Sequence, residues 1–471
     1  MKSIVLVILA LVSTMCKGQN AETYFNLHRN NEALMTAFFM QMPKGGDLHH
    51  HYSGSVYAET YFETAVAADC WVNINTLFIS QLPKKDTSEW KSLSMLKKSG
   101  RLPEFRLKLL QKWSVKDYEP CKAPSDKHFF ETFMYFGSLS RTEYAKGLLE
   151  LKQRALLENV SYIETMFIAV PSAINTTPYS PYNEKMRTAI GKGDTLKTMQ
   201  QLDSLYRMLM SAGASDHARI FNNDFVQRLH SELKLDDDKF TMRYQNTVVR
   251  VQEPVEVFKN MVLAFESASK SPLIVGVNIL APEDNFVSMN DYSLHMLMYK
   301  YCHNKYPAVR YSMHAGELTT EQVKPEQLSF HIRDAVYVAG ASRIRHGVDI
   351  AYENNCYTLL KSMHEKKIAV EINLTSNEFI LGVKGNAHPI SLYRQYDVPL
   401  VICTDDAGVL RSNLAQQFVL LALHYPDVSY ADIKQYVYNS IRYSFIEEPE
   451  VVKALINDLD KRFALFEAQF R

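Results

Sequence analysis

The chain is poor in cysteine, carries no net charge and has no long apolar run beyond its first residues. Only six of its 471 residues are cysteine and three are tryptophan, and its 52 basic side chains are balanced by 52 acidic ones. Each shortage excludes something. Zero formal charge with no basic block argues against nucleic acid or an anionic membrane as a partner. No later apolar run approaches the roughly 20 residues a transmembrane helix needs, so no membrane span is expected. There is no internal repeat and no low-complexity tract. What remains, 46% apolar and 22% charged residues, is the composition of an ordinary soluble enzyme. Its length predicts one large barrel or two domains.

The cysteines are scattered. Cys302 lies in a helix-like run and Cys403 in a strand-like one, where buried thiols are expected, and Cys356 has no evident partner. Cys70 and Cys121 share one polar, irregular segment that is open to either a bridge in an oxidising compartment or two thiols. At the N-terminus Lys2 precedes an apolar run over residues 4–12 and then STMCKG. That run is too short to span a bilayer and reads as a signal peptide over residues 1–18, cleaved before Gln19. A lipid anchor at Cys16 is less favoured because the preceding Met15 is bulky. The expected location is therefore secreted or periplasmic.

Short β-rich runs alternate with helical periodicity through the rest of the chain. The strand candidates cover residues 45–51, 160–167, 239–245, 273–280, 309–315, 343–347, 368–374 and 399–405. Eight strands, each followed by helix, predict an α/β fold of (β/α)8 TIM type. Residues 19–41 read as a short helical segment ahead of a barrel running from 42 to 471. Residues 69–127 read as a subdomain inserted after the first strand, and further helices close the C-terminus.

The first strand ends in DLHHH. Alternate side chains of a strand share a face, so His49 and His51 point together while His50 looks away. By itself this is open between a metal site and a His-rich polar turn. Other polar residues, however, end later strands of the same inferred barrel: His314 and Glu317 after the fifth, His346 after the sixth, Asp405 and Asp406 after the eighth. In such a barrel these ends converge on one mouth. Three imidazoles and one carboxylate, His49, His51, His314 and Asp405, form a mixed donor set suited to a catalytic zinc. Glu317, His346 and Asp406 are left over for proton transfer and substrate binding.

The segments DLHHHYSG, SMHAGE, RIRHG and HPISLYRQYDVPLVICTDDAGV resemble the adenosine deaminase family, and MPKGGDLHHH is most similar to its secreted branch, the adenosine deaminase-related growth factors. The resemblance spans residues 42–445. It implies hydrolytic removal of the 6-amino group of adenosine or 2′-deoxyadenosine, with one zinc per chain on His49, His51, His314 and Asp405. It further implies that Glu317 donates a proton to purine N1, that His346 orients and deprotonates the attacking water, and that Asp406 hydrogen-bonds N7. Three positions depart from the family pattern. Tyr52 and Ser53 stand where an acid usually contacts ribose, Ala281 stands for the glycine whose N–H meets purine N3, and Arg345 stands where glycine is frequent. Residues 19–41 are much shorter than the dimerising extension of the growth factors, which leaves the oligomeric state open. Two other functions stay open: deamination of another 6-aminopurine, and a secreted protein that uses the barrel or the insert to bind a partner.

Overall fold

The computed structural model describes residues 20–470; the signal-peptide reading of residues 1–18, with Cys16, lies outside the described residues. The barrel strands are β1 (Gly45–His51), β2 (Val160–Met166), β3 (Thr241–Val249), β4 (Ile274–Leu280), β5 (Arg310–Ala315), β6 (Arg343–His346), β7 (Ala369–Ile372) and β8 (Leu400–Ile402). They hydrogen-bond in chain order, each neighbouring pair parallel. Parallel neighbours need crossovers, and helices such as Pro254–Ala268, Tyr292–Lys305 and Cys356–Glu365 supply them. The seam between the first and last strands closes at their C-terminal ends. There Asp405 N donates to His49 O at 2.8 Å and His51 N donates to Asp405 O at 3.2 Å. The result is a nearly closed (β/α)8 barrel, as expected. β7 and β8 are shorter than their apolar runs suggest. Leu374 already begins the helix Leu374–Leu381, and the chain beyond Ile402 turns toward β1.

The barrel interior is not purely apolar. Glu164 on β2, Arg343 and Arg345 on β6 and Glu371 on β7 are essentially fully buried. Arg343 bridges Glu164 and Glu371, reaching the latter at 2.6 Å, and Arg345 lies 3.1 Å from Glu371. Two positive and two negative charges balance, which is what makes such burial tolerable.

The insert holds a three-stranded antiparallel sheet (Trp71–Asn73, Ile79–Ser80, Trp90–Ser92) and the helices Leu93–Lys98 and Leu102–Lys112. Its Val72, Phe105, Leu109 and Trp113 join the same apolar cluster as the barrel, so it has no separate core. Val115 N donates to Val409 O at 2.9 Å, and Tyr118 packs edge-on against Phe379. The contacts set the insert against the helix that follows β7 and the loop that follows β8. The bridge reading for Cys70 and Cys121 is corrected: both are free thiols. Cys70 is wholly buried, its backbone tied to Ala65 O, whereas Cys121 sits exposed on a turn. Cys302 and Cys403 are buried thiols.

Residues ahead of the barrel form the helices Ala21–His28 and Glu32–Gln41, capped by Asn20 and Asn31. Phe25 and Phe38 pack on Tyr430, and Phe38 also on Phe466, both from the closing helices Tyr430–Arg442 and Pro449–Ala468. Among the described residues no helix is long and apolar enough to cross a membrane.

Candidate active site

Alternation along β1 sorts its histidines. His49 and His51 face the mouth, their rings 5.4 Å apart. His50 faces outward, its Nδ1 3.1 Å from Thr165 Oγ1, and burial followed by the nearby Arg154 pushes its pKa down to about 3. From β5 comes His314, whose Nδ1 lies 2.7 Å from Ile279 O. A carbonyl oxygen only accepts, so Nδ1 carries the proton and the Nε2 lone pair is free. Asp405, at the seam, brings Oδ1 within 3.3 Å of His49 Nε2 and 3.2 Å of His51 Nε2, while Ser376 Oγ donates to its Oδ2 at 2.6 Å.

Donor atoms of His49, His51 and Asp405 lie within 4.8 Å of one another, and so do those of His49, His314 and His346, and of Glu317, His346 and Asp405. The structure thus gathers all four expected ligands and two of the proton-transfer residues around one point. His49 Nε2 and His346 Nε2 are buried without a hydrogen-bond partner. Buried polar atoms are normally paired, so the orphaned His49 nitrogen beside Asp405 fits a divalent cation, and that of His346 fits a group facing into the site. Behind His49, Glu371 Oε2 lies 3.3 Å from Nδ1. A carboxylate there favours a proton on Nδ1 and leaves Nε2 to a metal.

The three acids at the mouth are held in different states. Burial would raise Asp405, but His49 and His51 outweigh it and hold the carboxyl well below the usual range. Burial, reinforced by Asp405, pushes both Glu317 and its neighbour Asp406 well above that range. The site therefore favours the carboxylate at Asp405 and the acid form at Glu317 and Asp406. Burial drives His314 well below its ordinary value and His51 down to about 4, so both offer lone pairs rather than charge.

The adenosine deaminase family model matches residues 216–462, just over half of the chain. The chain belongs to the adenosine deaminase family. An adenosine deaminase of Clostridium kluyveri is 24% identical over 413 residues, covering 86% of this chain and 91% of that one. Among solved structures, the N6-methyl-AMP deaminase of Arabidopsis thaliana superposes with a TM-score of 0.54 at 19% identity, covering 90% of this chain and 98% of its own. An amidohydrolase of Burkholderia ambifaria with bound Zn gives 0.53 at 15% identity, covering 92% and 94%. These two likenesses are of fold. As a family member, the chain is a hydrolytic deaminase.

Several residues of this adenosine deaminase family site are invisible to strand-end reasoning. Glu283 accepts from Glu317 N at 2.9 Å and Gly316 N at 3.2 Å, which places the Glu317 carboxyl. His331 Nδ1 lies 2.5 Å from the same carboxylate. Gly316 has φ 73°, and a methyl there would meet Asp349 Oδ1 at 2.2 Å. Glu371, Asn373, Ser376 and Asn377 all follow one another in EINLTSN, a run whose apolar character marked only a strand. Its dense polar residues beside a strand end were the available signal.

The departures resolve differently. Tyr52 is buried against Phe167 and Tyr144, away from the mouth. Ser53 is half-buried. Arg345 fills the barrel interior, donating to Ser312 Oγ and Gln245 Oε1, both at 2.8 Å. Ala281 takes φ 91°, a conformation that disfavours any residue with a Cβ. Ala281→Gly is expected to raise stability by about 1 kcal/mol, because relief of strain exceeds the extra entropy of glycine in the unfolded chain. Urea unfolding of the two proteins checks this.

Proposed function

We propose that this protein catalyses zinc-dependent hydrolytic deamination of adenosine or 2′-deoxyadenosine, releasing inosine or 2′-deoxyinosine and ammonia. The observation that carries this reading is the convergence at one mouth of His49, His51, His314 and Asp405 with Glu317, whose carboxyl lies 3.5 Å from His346 Nε2. Burial and charge favour the carboxylate at Asp405 and the acid form at Glu317 and Asp406. Paired acids pushed to opposite states mark acid–base chemistry. His49, His51, His314 and Asp405 would hold one zinc ion. When bound there, zinc supplies a Lewis acid that lowers the pKa of water toward neutrality.

The chain's own residues supply the rest. Addition of hydroxide to C6 breaks the aromaticity of the purine, and a proton on N1 relieves the charge that develops. Burial favours the acid form of Glu317, which has that proton to give. Asp406 has an Oδ1 buried without a partner, and burial favours its acid form, which can donate to an acceptor such as N7. Ala281, half-buried on the loop that follows β4, would present its N–H to N3. The apolar run over residues 4–12, read as a signal peptide, supports export of the enzyme, as in the secreted branch that the motifs resemble.

A second reading, deamination of another 6-aminopurine, draws on Tyr52. Its ring is turned into the core, so no acid from this position reaches a ribose. Ammonia release from adenosine, 2′-deoxyadenosine, adenine and AMP separates the two. The nucleosides are expected to turn over with kcat/KM at least tenfold above adenine and AMP. Preference for adenine or AMP would favour the second reading, and no turnover of any of them would defeat both.

A further inference from the structure

Behind His346 runs a chain of buried polar side chains that the reaction as described leaves unused. His346 Nδ1 lies 2.9 Å from Asn377 Nδ2, and Asn377 Oδ1 lies 3.0 Å from His388 Nε2. The far end of the chain is His388 Nδ1, which accepts from Ile390 N at 3.3 Å. His388 is the histidine of HPIS, and all three side chains are buried.

The direction of every bond follows from that last contact. A backbone N–H can only donate, so His388 Nδ1 is the acceptor and its proton sits on Nε2. Burial pushes His388 down to about 4, so the ring is neutral and carries that one proton. Nε2–H must then point at the oxygen of Asn377, because turning the carboxamide would set two donors against each other. The amide nitrogen of Asn377 therefore faces His346 and donates to Nδ1. Asn373 Nδ2 lies 3.4 Å from the same nitrogen but closer, at 2.9 Å, to His49 Nδ1, and its own Oδ1 has no partner, so nothing fixes which end of that carboxamide faces the two rings. Asn377 is engaged at both ends and is not free to turn.

We propose that His388 and Asn377 are positioning residues that hold His346 in the tautomer bearing its proton on Nε2. His346 then enters the reaction as a hydrogen-bond donor into the site and not as the acceptor of the water's proton. Nε2 faces Glu317 Oε1 at 3.5 Å and Asp405 Oδ2 at 3.8 Å. A second proton would have to go on Nδ1, against the Asn377 amide donor. This departs from the role the resemblance implies for His346, and it rests on the deaminase reading above.

Glu317 then carries both proton transfers, and the balance closes. Its carboxyl gives a proton to N1 as a C6–O bond forms, and the carboxylate so produced takes the water's proton. That proton passes to the amino group, the C6–N bond breaks and ammonia leaves. The remaining hydroxyl at C6 returns its proton to Glu317 as the carbonyl forms.

Nitrogen-15 NMR of the zinc-loaded protein reads the tautomer directly, with His346 assigned by the loss of its signals in His346→Gln. A protonated Nε2 with a bare Nδ1 is expected. Asn377→Asp, nearly isosteric, replaces the donor by an acceptor. It is expected to move the proton to Nδ1 and to lower kcat on the order of 10²-fold or more, with KM and zinc content held. His388→Leu should lose part of this activity, and His388→Gln, which keeps a donor, should recover most of that loss. A protonated Nδ1 in the unaltered protein, or an Asn377→Asp variant with unchanged kcat, would overturn the proposal. The NMR readout needs no substrate, so it stands apart from any failure of the deaminase reading.

Discussion

Glu317→Gln is expected to keep its zinc and its fold and to bind a purine nucleoside, yet to lose on the order of 10²–10⁴ in turnover. Glutamine matches the size of the buried carboxyl and still offers a hydrogen bond toward N1. What it lacks is a transferable proton. The wild-type group is biased toward its acid form because burial, with Asp405 and Glu283 adding to it, pushes the carboxyl well above the usual range. Glu283 holds the backbone N–H of residue 317 in either case, so the loop stays in place. The loss should therefore fall on kcat and leave KM nearly unchanged, the signature of an interaction made mainly in the transition state. Steady-state deamination with metal content measured in parallel is the check. A variant with full zinc and near-native turnover would require the proton to come from elsewhere.

His49→Ala and His50→Ala, neighbours in sequence, are expected to behave in opposite ways. His49 brings an unpartnered Nε2 to within 3.3 Å of Asp405, and Glu371 lies behind its other nitrogen. Removing the ring takes a donor out of the centre and strips Glu371 of one of its partners. Zinc affinity should fall on the order of 10²-fold or more, more than the loss of an orienting partner alone would cause. Turnover should fall with it. His50 lies on the other face of β1, against Thr165. Its removal should cost about 1–3 kcal/mol of stability and leave zinc at one per chain. Elemental analysis of both purified variants decides between them. Zinc lost from the His50 variant and retained in the His49 variant would dismantle the ligand assignment.

Much of this was legible in the chain because it rests on local periodicity. The two-residue repeat of a strand separates His49 and His51 from His50 whatever the strand pairs with. The alternation of apolar runs with helical segments likewise identifies a parallel barrel, whose geometry sends His314, His346 and Asp405 to one end. Tertiary structure alone decided how those side chains are held. The partners of His49, His314 and His346 are Glu371, Ile279 O and Asn377, and the first pair is separated by more than three hundred residues. No local pattern records which atoms meet across a closed sheet. Arg345 in sequence is only a departure from glycine. In the fold its guanidinium belongs to a balanced set of buried charges with Arg343, Glu164 and Glu371. Cys70 and Cys121 share a segment, but the core takes one thiol and solvent the other. The sequence by itself determined the architecture, the gathering of the site residues at one mouth and which of them face it, since these follow from repeat and strand order. The protonation states of Glu317, Asp405 and Asp406 follow from burial and from charges brought close by folding, and only the packed barrel sets those.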